Sequence, residues 1–182
     1  MRTLEEHARE LARDIDVVRV LVNQAHTFGN GGGFDNAGWT RQALSGSVNW
    51  AWSTTQNNTP THSWFSASQT TVSERVLTSP SFAVNAATTL SFWHTYAFEG
   101  DTLQAYDGGT LEYSTNGGST WDVVPEELFS AGGYTATINN NFSNPIGGSR
   151  GWGRQEAREL FDVLDEFHAA AHVIYTVSAH QF

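Results

Sequence analysis

The chain has no cysteine and no lysine, a single methionine and only four prolines. Without cysteine there is no disulfide framework, no thiolate metal site and no thiol nucleophile, so stability must come from packing, hydrogen bonding or a bound ion. Without lysine, all nine basic residues are arginine, set against nineteen acidic ones for a formal charge of −10. A nucleic-acid partner requires a basic face that neutralises phosphates, and the acidic middle of the chain offers little beyond Arg41 and Arg75. Nucleic acid is therefore not expected, and cations or neutral ligands suit the charge better. No apolar run approaches the ~20 residues of a membrane span. The opening seven residues, Met1 to His7, lack the apolar stretch of a signal peptide, so neither a span nor an export signal is expected in this chain.

What is present falls into three segments with different periodicity. From Leu4 to Ala25, the residues Leu4, Ala8, Leu11, Ile15, Val18, Val22 and Ala25 recur in steps of four and three. That spacing predicts a heptad helix over 1–28. Gly29 to Gly33, with Asn30 among them, cannot hold regular structure cheaply and reads as a linker over 29–33. The heptad rule returns through Ala157, Leu160, Leu164, Phe167, Ala171 and Ile174, predicting a second helix over 154–182. Two such stripes would pair as a coiled-coil hairpin or join those of other copies in a homo-oligomer.

Between them, over 34–153, short apolar runs rich in Thr, Ser, Trp, Tyr and Phe are separated by Gly, Asn, Pro and Ser, as an antiparallel sandwich requires. Expected strands are Val48–Trp52, Ser63–Ser66, Arg75–Thr78, Phe82–Val84, Thr89–Ala97, Thr110–Ser114, Trp121–Val124 and Tyr134–Ile138. Asn116-Gly117 is the strongest turn signal, because that pair suits the positive φ angles of a tight hairpin.

Several short motifs occur in a telling order. Phe34-Asp35 and Gly38-Trp39-Thr40 come first, then Leu77-Thr78-Ser79-Pro80, then Leu90-Ser91-Phe92-Trp93-His94 with Phe98-Glu99. Tyr106-Asp107-Gly108-Gly109-Thr110-Leu111-Glu112-Tyr113-Ser114 and Asn116-Gly117-Gly118 with Trp121 follow. This series resembles bacterial secreted jelly-roll accessory modules, the MAM-like or galactose-binding-like domains appended to peptidases similar to immune inhibitor A. The resemblance covers nearly the whole middle segment and implies a jelly-roll β-sandwich of secreted or cell-surface type. In that family the stretch resembling Asn144 to Trp152 is followed by further strands, whereas here a heptad helix is expected in their place. A chimeric or de novo chain is one source of such an arrangement.

Three constellations could carry chemistry. Glu99, Asp101 and Asp107 fall in one loop between expected strands, and the family arrangement would bring Asp35 near them. Hard oxygen ligands suit calcium, and the resemblance implies a structural calcium at such a loop; a solvated acidic loop is the competing reading. Trp50, Trp52 and Trp64, with Asn57 nearby, supply flat faces and an amide for stacking a sugar, although tryptophans at alternating strand positions also build cores. His168 and His172 stand at i, i+4 on the expected second helix, a spacing that could chelate a divalent metal. Without a glutamate between them, hydrolysis does not follow.

No nucleophile, base and orienter fall together, no Gly-x-Ser-x-Gly elbow or phosphate loop occurs, and an enzyme is not expected. The expectation is a non-catalytic binding module of extracellular type, recognising a glycan or a cell-surface protein, with structural calcium. The alternative is a designed or structural assembly protein in which the heptads set the oligomer and the β module is a scaffold.

Overall fold

A computed structural model describes residues 17–18, 38–54, 62–67, 71–81, 90–101, 103–164 and 171–179. Within them the chain is mainly β, built of antiparallel sheets with two short 3-10 turns at Glu126–Leu128 and Asn141–Ser143. The strands are β1 (Val17–Val18), β2 (Thr40–Ser45), β3 (Ala51–Ser53), β4 (Ser63–Phe65), β5 (Ser73–Thr78), β6 (Leu90–Ala97) and β7 (Gly108–Ser114). They continue as β8 (Asp122–Val123), β9 (Phe129–Ala131), β10 (Ala136–Thr137), β11 (Arg150–Gly153), β12 (Gln155–Leu164) and β13 (Ala171–Ala179).

Eight strands form the largest sheet, in the order β10-β11-β7-β1-β13-β5-β2, with β8 paired to the same edge of β7 as β11 and β7 also paired directly to β13. A second sheet has the order β6-β12-β9, and β3 and β4 form a separate ribbon. β7 is central because its sequence suits a fully enclosed strand: Gly108 to Leu111, Tyr113 and Ser114 are all buried. Glycine at 108 is required there, since a Cβ would run into Ile138 and stand 2.8 Å from the Trp152 carbonyl. β7 and β8 form the hairpin expected at Asn116-Gly117, with Gly117 and Gly118 at φ 69° and 85°.

The two larger sheets meet through Trp152. Its indole is fully buried and lies edge-on to Phe92, His94, Phe129 and Tyr134, with ring centroids 5.6, 4.7, 5.9 and 4.9 Å away. Alternation along β6 turns Phe92, His94 and Tyr96 to this side, as the period of two demands. The Tyr134 hydroxyl donates to the Leu111 carbonyl at 3.1 Å, tying the cluster to β7. Arg154, at φ 70°, is the single residue between β11 in one sheet and β12 in the other. A left-handed residue at that point bends the chain sharply, which lets it leave one sheet and enter the other directly after Trp152.

Here the structure corrects the sequence reading. The helix expected over 154–182 is absent: Gln155–Leu164 and Ala171–Ala179 are strands. β12 pairs with β6, from Gln155 opposite Ala97 to Leu164 opposite Leu90, and β13 runs between β5 and β7. The cause in β13 is composition, since Val173-Ile174-Tyr175-Thr176-Val177 is an unbroken run of β-branched and aromatic residues, which favour a pleated strand over a helix. β12 contains the helix-favouring run Glu156-Ala157-Arg158-Glu159-Leu160, and strand pairing on both of its edges overrides that local preference. Of the N-terminal heptad, Val17–Val18 is a strand running parallel to β13 and antiparallel to β7. The rest of that stripe, the 29–33 linker and the expected strand Phe82–Val84 lie outside the described residues.

Removing the indole should leave an unfilled space between the sheets. Trp152→Ala is expected to cost about 3–5 kcal/mol, read as a fall in the urea midpoint with the two-state slope retained.

Candidate functional site

The acidic loop follows β6. Its closure comes from its own backbone: Asp101 N–H donates to the Gln104 carbonyl at 2.8 Å, and the Glu99 carbonyl accepts from Tyr106 and Asp107 N–H at 2.9 and 3.1 Å. Asp101 Oδ1 accepts from Leu103 and Gln104 N–H at 2.7 and 2.8 Å, while its Oδ2 accepts from the Tyr106 hydroxyl at 2.7 Å. These bonds, Tyr106 first, hold the Asp101 carboxyl below the usual aspartate range and push the Tyr106 hydroxyl up. Asn144 Nδ2 donates to the Tyr106 carbonyl at 2.7 Å, and Arg154 reaches the Leu103 carbonyl at 3.3 Å, fastening the loop to its surroundings.

Glu99 and Asp101 are exposed, whereas Asp107 is buried and turned toward the charge of Arg75. The Arg75 side chain is also fully buried and donates to the Ala67 carbonyl and to Ser73 Oγ; burial pushes its guanidinium below the ordinary arginine range, with Asp107 acting in the opposite sense. Calcium takes 6–8 oxygen ligands. Both Asp101 oxygens accept from protein donors, and Asp107 acts on the charge of Arg75. Among the described residues no three histidine, aspartate or glutamate side chains converge to hold a metal. Asp35 and His168 lie outside the described residues, and His172 belongs to β13.

The tryptophans form a different arrangement. β3 and β4 pair with Trp52 opposite Trp64, and these rings meet edge to face at 5.0 Å. Trp50 and Trp64 are buried, while Trp52 is half-exposed. The His62 imidazole stacks on Trp52 at 5.0 Å with planes 6° apart. Trp39, just before β2, approaches Trp64 at 6.2 Å. Two positions on, Arg41 donates from Nη1 to the Trp50 carbonyl at 2.8 Å. Trp39, just before β2, and Arg41, within it, thus both reach the β3–β4 ribbon and its N-terminal flank. Asn49 Oδ1 accepts from Trp50 N–H at 2.9 Å, steadying the ribbon's first turn.

The sequence reading named Trp50, Trp52 and Trp64, and the structure brings all three to one ribbon; Asn57 lies outside the described residues. It did not place Trp39, Arg41 or His62 among the binding residues. The signal was there: Trp39-x-Arg41, Trp50-x-Trp52 and His62-x-Trp64 repeat one alternating pattern on three successive segments, and in extended chain each pair shares a side.

Comparison with known families, curated proteins and solved structures finds no match. No helix of the described residues is long and apolar enough to cross a membrane.

Two outcomes follow from this geometry. A calcium ion held at the acidic loop raises the thermal midpoint in excess calcium and a chelator reverses the rise, followed by tryptophan fluorescence; an unchanged midpoint contradicts such a site. Arg150 grips Glu126 through Nε at 2.7 Å and Nη2 at 2.6 Å. That bond holds the Glu126 carboxyl below the ordinary glutamate range. A depressed folded-state value means the stabilisation is present above the unfolded glutamate's titration and lost as pH falls through the folded one. The pair is well exposed on both sides, so Glu126→Gln should cost under about 1 kcal/mol at neutral pH, with the difference from wild type fading in acid denaturation profiles.

Proposed function

We propose that this chain is a non-catalytic recognition module of secreted or cell-surface type that binds glycans on the β3–β4 ribbon, within a jelly-roll β-sandwich. The observation that carries the reading is the pair of half-buried rings Trp39 and Trp52 set against the buried Trp64, with His62 stacked on Trp52. Flat aromatic surface held rigidly by a buried anchor is the element from which sugar-stacking sites are made, because an aromatic side chain presents much apolar area at low entropic cost. The likeness of the middle segment to secreted jelly-roll modules favours the same reading. The rival, an assembly protein organised by heptad helices, draws no support from 155–164 and 171–179, which are strands.

Retention on a panel of immobilised polysaccharides tests this. Wild type is expected to be retained on at least one of them, and Trp52→Ala to weaken that binding about tenfold, or ~1.4 kcal/mol, with the thermal midpoint little changed. No retention on any member, together with indifference to Trp39→Ala and Trp52→Ala, contradicts the reading.

A further inference from the structure

We infer that the ribbon site takes a carboxylate-bearing sugar, a hexuronate or sialate, gripped by Arg41; this rests on the glycan reading above. Arg41 and Trp39 lie two residues apart at the start of β2, and both reach the ribbon: Trp39 through its ring to Trp64, Arg41 through Nη1 to the Trp50 carbonyl. That one hydrogen bond fixes the guanidinium at the Trp50 carbonyl, one residue before the Ala51–Ser53 strand that carries Trp52.

The arginines whose side chains the structure describes, Arg41, Arg75, Arg150 and Arg154, are used differently. Arg75 is buried and donates to Ala67 and Ser73. Arg150 is locked onto Glu126. Arg154 donates to the Leu103 carbonyl and feels the charge of Asp101. Arg41 is exposed and, among the described residues, pairs with no carboxylate.

Its geometry indicates what it would hold. Arg150 grips a carboxylate through Nε and Nη2, two parallel donors on one edge of the guanidinium. Arg41 spends Nη1 on the Trp50 carbonyl, which leaves that same edge for a bidentate carboxylate. Beside a stacking surface, such a fork matches the acid group of a sugar ring whose apolar face rests on an indole. The chain's net charge of −10 opposes a polyanion at long range, but screening confines that repulsion to ~10 Å at 0.1 M salt, and a fork at hydrogen-bonding distance acts well inside it.

The test is calorimetric titration with polygalacturonate, its fully methyl-esterified form and polysialate, for wild type, Arg41→Gln and Arg41→Lys. The expected result is at least one acidic polymer binding tenfold or more tighter than the ester, with Arg41→Gln abolishing that preference. Whichever of polygalacturonate and polysialate binds tells hexuronate from sialate. Arg41→Lys keeps a charge and a donor for the Trp50 carbonyl but lacks the fork, so it should keep the wild-type thermal midpoint and lose most of the preference. If Arg41→Gln fails to fold, the lysine variant decides, and an unchanged preference there overturns the inference. Equal binding of acid and ester, or an acid preference that survives both substitutions, overturns it while leaving the glycan reading standing. Binding to none of these probes or the wider panel removes both.

Discussion

The Trp152 indole sits where the two larger sheets meet, and much of the structure is arranged to keep it there. Phe92 and His94 come to it from β6, Phe129 from β9, and Tyr134 from the segment before β10, held to β7 by its hydroxyl. Burial of so large a side chain against other rings is worth several kcal/mol, and its geometry favours edge-on neighbours over parallel stacks. The glycines around it follow from the same constraint. At Gly153 an added Cβ would approach the Ala105 Cβ to 2.5 Å, so the backbone next to Trp152 has no room for a side chain.

The left-handed residue Arg154 then sends the chain into the second sheet, and β12 and β13 become partners of both sheets. The segment after Trp152 thus adds a strand to each of the two larger sheets. It also leaves the β3–β4 ribbon as a sheet of its own, with the buried Trp64 and the half-buried Trp52.

The β character of the middle segment was legible because alternation and turn chemistry agree there: Asn116-Gly117 forms its hairpin, and most expected strands lie within a few residues of those found. The end of the chain was not legible from spacing alone. Ala157, Leu160, Leu164, Phe167, Ala171 and Ile174 keep a heptad rhythm, yet Val173, Tyr175 and Val177 keep a period of two in the same stretch, and pairing with β5 and β7 decides between them. In the acidic loop, the Tyr106 hydroxyl and the backbone N–H groups that engage Asp101 were not legible, since they come to it only in three dimensions. The aromatic site was half legible, since Trp50, Trp52 and Trp64 stand out in sequence while Trp39, Arg41 and His62 gain meaning from the side they share with them.

Enclosure of Trp152 between two sheets requires that the chain after it return as strands. Backbone chemical shifts measured by nuclear magnetic resonance across Gln155–Leu164 and Ala171–Ala179 test that requirement directly. Extended-chain shifts through both segments, with contacts between β13 and its neighbours β5 and β7, are the predicted result; helical shifts over either segment would contradict it.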